Sequence, residues 1–164
     1  MKSIPLTRGQ FTTVDLKNYD IISQHNWFYT HYGYAGRSAT KEEIDSGHPK
    51  VILMHRYLMD APKGIDVDHK DGNRLNNQLE NLRLCSRKEN LRNQAKVMST
   101  KRGRATSPYK GVYWANDRRK WRSTIFVDNR RVSIGSFDDE DEAALAYNRF
   151  AKKHFGEFAR LNIV

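Results

Sequence analysis

Four residues in the middle of the chain, Asp68, His69, Asn81 and Asn90, have types and spacing suited to metal-assisted hydrolysis of a phosphodiester. Such chemistry with one divalent cation needs a hard oxygen ligand for the metal, a base that deprotonates water, and a group that orients the base. Asp68 offers a carboxylate, and the adjacent His69 an imidazole that titrates near neutrality. Neighbouring residues of a strand point to opposite faces, so a distortion at the strand end is expected to bring both side chains to one phosphate. Asn90, early in a helix opening at Ser86, can complete a metal site through its side-chain carbonyl, with Asn93 one helical turn on as the rival ligand. Asn81, in the intervening loop, can hold the imidazole tautomer by a hydrogen bond.

The remaining candidates read as structural. His55 lies 14 residues before His69 on an apolar run and is expected to be a satisfied core histidine, while His25, His31, His48 and His154 have no partners at ligand spacing. Cys85 is the single cysteine, which excludes an intrachain disulfide and a Cys-rich zinc site; it reads as a small buried hydrophobe, and no structural zinc is expected.

The elements that must position the four residues are short. Ile4 to Arg37 reads as strands and turns, with a short helix over Asn18 to His25, and Ser38 to Lys50 as a polar loop. Val51 to Met59 is an apolar run expected to form a helix or a strand-helix junction. Asp66-Val67-Asp68-His69 looks like a strand end, Lys70 to Asn73 a tight turn, and Ser86 with Glu89 a capping box that opens a helix. The stretch Lys96 to Pro108 is basic and poor in apolar residues, as a linker is. Beyond it lie three strand candidates and a helix over about Asp139 to Phe155, stopped by Gly156. There Ile125, Val127, Val132 and Ile134 alternate with Arg122, Thr124, Arg131 and Ser133, the period-two signature of a sheet buried on one face. Asp128-Asn129 forms the turn, and Ala143, Ala146, Tyr147, Phe150, Ala151 and Phe155 form the helical stripe that covers the apolar face. The fold class is α+β.

The stretch Asp66 to Asn90 resembles the ββα-metal motif of HNH endonucleases, in the variant that begins with Asp-His and ends with Asn. Asn81 and Asn90 stand 12 and 21 residues after His69. The resemblance implies that His69 is the general base, that Asp68 and Asn90 hold a divalent metal, magnesium with manganese as substitute, and that Asn81 orients the histidine through the loop backbone. Asn90 stands where many members have His; Asn is the accepted alternative in phage-type members. The segment Ile4 to Ala39 resembles the leader module of phage and bacterial HNH proteins.

The segment from Ser107 to Asn162 resembles the DNA-binding domain of plant APETALA and ethylene-response-factor proteins, through Tyr-Lys-Gly-Val, Lys-Trp-Arg, Ser-Ile-Gly-Ser-Phe and the closing Ala-Arg-Leu-Asn. That resemblance implies a three-stranded antiparallel sheet in the major groove with a helix behind it, and matches Lys110, Tyr113, Arg122, Thr124, Phe126, Arg131 and Ser133 to DNA-facing positions. Tyr113, Thr124 and Ser133 differ in type from the plant pattern, so the site read by the plant proteins does not carry over. Together the resemblances imply a strand-rich support module at 1–50, a nuclease core at 51–98, a basic linker at 99–108 and a DNA-binding domain at 109–164. They also imply a homing-type endonuclease of a phage or mobile element that nicks duplex DNA as a monomer or weak dimer.

Composition bounds these readings. The 164 residues hold 29 Lys and Arg against 19 Asp and Glu, a formal charge of +10 that calls for a polyanionic partner. Three Trp, eight Tyr and seven Phe are too many for a disordered chain. No apolar run is long enough to span a bilayer, and the first ten residues lack the apolar region of a secretory signal, so a cytoplasmic location is expected and a membrane partner is not. Two rivals stay open: a DNA-binding transcriptional regulator with an inactive nuclease motif, and an RNA-directed module, which a groove-sized sheet face disfavours.

Overall fold

A polar chain with a small hydrophobic share must divide its apolar side chains among short elements, and small separate clusters result, one in the first unit and two in the second. The computed structural model describes all residues except 97, 98, 101, 102 and 105. The chain divides into two units, Met1–Asn90 and Leu91–Val164.

In the first unit, β1 (Lys2–Pro5) and β2 (Phe11–Val14) form an antiparallel hairpin, followed by α1 (Leu16–Ser23). Strands β3 (Phe28–Tyr29), β4 (Ala35–Ser38) and β5 (Val51–Leu53) make a three-stranded antiparallel sheet in that order. Between β4 and β5 lies α2 (Lys41–Asp45), in a stretch whose sequence reads as loop. Its stability is local: Thr40 and Glu43 form a capping box, and the Glu43 carboxylate also takes two hydrogen bonds from the buried Arg37 guanidinium. The apolar run resolves into β5 followed directly by α3 (Met54–Leu58), the expected strand-helix junction. Ile4, Val14, Ile22, Trp27 and Met54 form the core, and the Trp27 indole N–H is satisfied by the Ile22 carbonyl at 2.7 Å. The hairpin of β6 (Asp66–His69) and β7 (Leu82–Cys85) leads into α4 (Arg87–Arg92).

The second unit begins at Leu91, within the last turn of α4, and takes in the basic stretch. The linker expected at 99–108 falls partly outside the described residues, at 101, 102 and 105; the described part includes a short hairpin of β8 (Ser99–Thr100) and β9 (Gly103–Arg104). Strands β10 (Val112–Ala115), β11 (Lys120–Val127) and β12 (Arg130–Phe137) form an antiparallel sheet in that order, with α5 (Glu140–Phe155) packed on it. The turn residues Asp128 and Asn129 both have positive φ, 49° and 62°, as a two-residue hairpin turn of this hand demands. Ile125, Tyr147, Ala151 and Phe155 form one core cluster and Val112, Ala143 and Ala144 another; the alanines let the helix lie close to the strands. Asp139 caps α5 by accepting from Glu142 N–H, and three acids occupy the first turn against Lys152, Lys153 and His154 in the last, complementing the helix dipole. No helix among the described residues is long and apolar enough to cross a membrane.

The close approach of α5 to the sheet is enforced at Gly111. Its φ is 79°, and a Cβ there would meet the Tyr147 ring at 2.2 Å and the Thr124 carbonyl oxygen at 2.6 Å. Gly111→Ala is expected to destabilise the protein by roughly 2–4 kcal/mol in urea unfolding, since it adds overpacking to backbone strain. Gly9→Ala, also at positive φ but with open space around the new methyl, is expected to cost only about 1 kcal/mol.

Candidate active site

The candidate site is built on one strand. In β6 the side chains of Asp66 and Asp68 share one face, and Val67 and His69 the other. The ladder with β7 runs in regular register from Asp66↔Cys85 to His69↔Leu82, so the expected distortion at the strand end does not occur, and Asp68 and His69 stay on opposite faces.

On the aspartate face, Arg83 is the cross-strand neighbour of Asp68 and donates from Nε at 2.9 Å and Nη2 at 2.6 Å to Asp68 Oδ2. Both residues are buried, where such a charge-assisted pair is demanding in geometry and holds the carboxylate in one rotamer. Helix α4 follows the hairpin and reaches Asp66 on this face through two side chains. The capping box read from the sequence forms, with Ser86 N–H donating to Glu89 Oε2 at 2.8 Å and Glu89 N–H to Ser86 Oγ at 3.3 Å. It starts the helix so that Asn90 reaches the hairpin. There the hydrogen bond of Asn90 goes to Asp66 and not to Asp68: Nδ2 donates to Asp66 Oδ2 at 2.9 Å, and Arg87 reaches the same oxygen at 3.3 Å. These two partners, Asn90 foremost, hold the Asp66 carboxyl below its usual range. Asp66 is a residue that the sequence reading missed, although its place two residues before Asp68 in a strand puts it on the same face. Asn93 falls in the second unit and is buried.

On the other face, His69 is only 5% exposed. Burial pushes its imidazole below the ordinary value, which keeps it neutral near pH 7. Its Nε2 lies 3.3 Å from Asn77 Oδ1, and its ring packs edge-on against His55 at 5.1 Å and beside Tyr34 at 6.0 Å. Asn81 is one shell further out and clasps the 70–77 loop. Its Oδ1 accepts from Asp71 N–H, its Nδ2 donates to Asp71 Oδ1 and to the Asn76 carbonyl, and its own carbonyl accepts from Lys70 N–H. Asp71 in turn accepts from Asn73 N–H and Asn76 Nδ2. The direct partner of the imidazole is therefore Asn77, which sequence spacing alone did not separate from the other asparagines of the loop.

His55 is not the satisfied core histidine that the sequence suggested. It is 5% exposed, and its Nδ1 is buried without a hydrogen-bond partner. Burial, aided by the neighbouring His69, pushes its imidazole down to about 3. Cys85 is buried as read, its thiol pushed up to about 11 by burial, and so is unreactive.

The groups brought to the aspartate face are the carboxylates of Asp66 and Asp68 and, through its Nδ2, the Asn90 amide, whose oxygen is the one further donor it could offer. Among the described residues no group of three or more His, Cys, Asp or Glu could hold a metal. Few protein ligands, all hard, suit a cation that fills its shell with water and phosphate oxygens, as Mg²⁺ does.

In the second unit, Phe126, Arg131 and Ser133 are exposed on the face of the sheet away from α5, and Tyr113 and Arg122 are half-buried. The Arg131 guanidinium lies over the rings of Tyr113 and Phe126, 5.8 and 5.7 Å from their centroids. Two residues grouped with this face on sequence depart from it. Thr124 is buried beside a register shift in β11, and the Lys110 ammonium donates to the carbonyls of Arg92 and Gln94, each at 2.6 Å. Burial pushes the Lys110 ammonium down to about 8.

Comparison with known proteins bears on both halves. Residues 60–92 match the family model described as HNH endonuclease. The chain is 29% identical over 161 residues to an HNH endonuclease of Acanthamoeba polyphaga mimivirus, covering 94% of this chain and 76% of the relative. It is 39% identical over 99 residues to Protein 3.8 of Escherichia phage T7, covering 60% of this chain and 77% of that protein. Over 61 residues, 37% of this chain and 17% of the relative, it is 38% identical to an AP2-like ethylene-responsive transcription factor of Arabidopsis thaliana. No solved structure matches.

The buried histidines make the fold acid-sensitive. Below pH 6.5 the unfolded chain takes up a proton on His55 that the folded chain refuses until about pH 3, so stability is lost as pH falls through that window. From His55 alone the loss is about 2 kcal/mol at pH 5, with His69 adding in the same direction. Urea midpoints compared at pH 7.5 and pH 5 are expected to show this drop in the wild type and a smaller one in His55→Phe.

Proposed function

The chain belongs to the HNH endonuclease family and is a nuclease, and from that premise we propose that it is a homing-type enzyme that nicks duplex DNA at the end of β6 and is targeted by its second unit. The observation that supports this best is the pairing, at adjacent positions of one strand, of a buried neutral imidazole and a guanidinium-fixed carboxylate on opposite faces. An in-line displacement at phosphorus places the attacking water and the leaving oxygen on opposite sides, so a base and a metal ligand divided between two faces suit it without any distortion. His69 takes the proton of the attacking water. Asp68 and Asn90 hold one divalent cation, Mg²⁺ with Mn²⁺ as substitute, which when bound supplies charge stabilisation at the phosphate and the leaving 3′ oxygen. Asp66 fixes the amide group of Asn90 by taking its N–H side, which turns the amide oxygen away as a ligand. Asn81 keeps the 70–77 loop in the shape that presents His69.

In the second unit the outward sheet face meets the major groove. Arg131, lying over two aromatic rings, is pre-organised to read a base edge, and Arg122 meets phosphate. The partial likeness to an AP2-like factor and the charge of +10 support this reading.

Supercoiled plasmid incubated with the protein and Mg²⁺ or Mn²⁺ is expected to become open circles, and to stay supercoiled with chelator. His69→Ala should lower the rate roughly 10²- to 10⁴-fold, the usual worth of a general base. Failure of any metal to yield nicks in a plasmid that the protein binds would contradict the proposal. Because His69 acts as the neutral base and burial lowers its pKa, the rate should fall at a lower pH than the one at which an ordinary histidine takes up its proton, as a pH–rate profile would show. Arg131→Ala should weaken duplex DNA binding roughly 10-fold, the low end of a bidentate base contact, with little change for duplex RNA.

A further inference from the structure

Asn77 and Thr12 are both fully buried polar residues, and neither belongs to the set that does the hydrolysis. Their hydrogen bonds form a chain whose direction is fixed at one end by a group that can only accept. The Leu75 carbonyl takes the Thr12 hydroxyl proton at 2.7 Å, a far better acceptor than the Met54 sulfur at 4.0 Å. With its single proton spent, Thr12 Oγ1 can only accept from Asn77, so the Asn77 amide presents Nδ2 to Thr12, at 2.7 Å, and Oδ1 to His69. An amide oxygen cannot donate, so the His69 nitrogen facing it at 3.3 Å must carry hydrogen.

We propose that Thr12 and Asn77 are positioning residues that lock His69 as the Nε2–H tautomer and so make Nδ1 the nitrogen that receives the proton from water. The proposal rests on the reading of His69 as general base. It also gives the N-terminal hairpin a task. Strand β2 runs beside the loop, with Thr13 N–H donating to the Leu75 carbonyl at 2.9 Å and Asn77 N–H to the Thr13 carbonyl at 2.8 Å, so the base is set by a segment more than 50 residues away in the chain. A histidine held in the wrong tautomer presents a proton where a lone pair is needed, and catalysis drops although every group is present.

The test is nitrogen NMR of the full-length protein labelled with ¹⁵N-histidine near pH 7.5, with His69→Gln assigning the resonances. The two ring nitrogens of a neutral imidazole resonate far apart, so the protonated one identifies itself. The expected result is a single Nε2–H tautomer at His69 in the wild type; a Nδ1–H tautomer there overturns the proposal, and this reading needs no positioning variant to fold. Thr12→Val keeps the shape and removes the hydroxyl, which frees the Asn77 amide to turn. It is expected to mix the His69 tautomers and lower kcat roughly 10-fold with KM unchanged, and Thr12→Ser to restore both. An unmixed tautomer and undiminished kcat in folded Thr12→Val would also overturn it. If instead His69→Gln nicks as fast as wild type, the general-base reading fails while the tautomer stands on its own spectrum.

Discussion

An imidazole that is to take a proton from water has to be neutral before the reaction, and a neutral imidazole at neutral pH is most simply kept by burial. Burial has a cost of its own, because every polar atom taken from water needs a partner. Much of the first unit can be understood from this constraint. The 70–77 loop runs irregularly between two strands, and the side chains of Asp71, Asn73 and Asn81 bond its backbone. Its density of asparagine and aspartate supplies partners where no ladder does, and within it Asn77, the residue that faces His69, is buried. The orphaned Nδ1 of His55 beside His69 marks a place where the constraint is left unmet among the described residues.

The same strand solves a second problem on its other face. A carboxylate that is to serve as a metal ligand must be held still, and Arg83 does so for Asp68, while Asn90 and Arg87 hold Asp66 and keep its carboxyl below the usual range. In the roles proposed for His69 and Asp68, two requirements that conflict electrostatically, a neutral base and a charged ligand, fall on adjacent residues that a strand separates onto opposite faces. The regular pairing through His69 is thus an advantage, and the distortion inferred from sequence is unnecessary.

What the sequence revealed was what local rules govern. The alternation of Ile125, Val127, Val132 and Ile134, the alanine stripe of α5, the turn at Asp128-Asn129 and the capping box at Ser86 each depend on residues a few positions apart, and each formed as read. Spacing also brought His69, Asn81 and Asn90 into view. Illegible were the relations set by tertiary contact: that Asn90 meets Asp66, that Asn77 and not Asn81 touches the imidazole, and that Thr12 stands behind Asn77. Helix α2 has a local signal, the Thr40–Glu43 capping box, inside the polar stretch that looks like a loop, and Arg37 adds a partner from outside it. Lys110 reads as a cation for phosphate, yet its ammonium is spent on two main-chain carbonyls, and only the fold determines which lysines are so spent.

Anomalous diffraction from crystals of the protein with duplex DNA and Mn²⁺ tests the central claim most directly, because it locates the cation and the base relative to one phosphate. The result expected is a manganese peak on the face of β6 that bears Asp68 and Asn90, with the His69 imidazole on the other side of the scissile phosphorus. A peak ligated by His69 itself, or a scissile phosphate out of reach of β6, would contradict it.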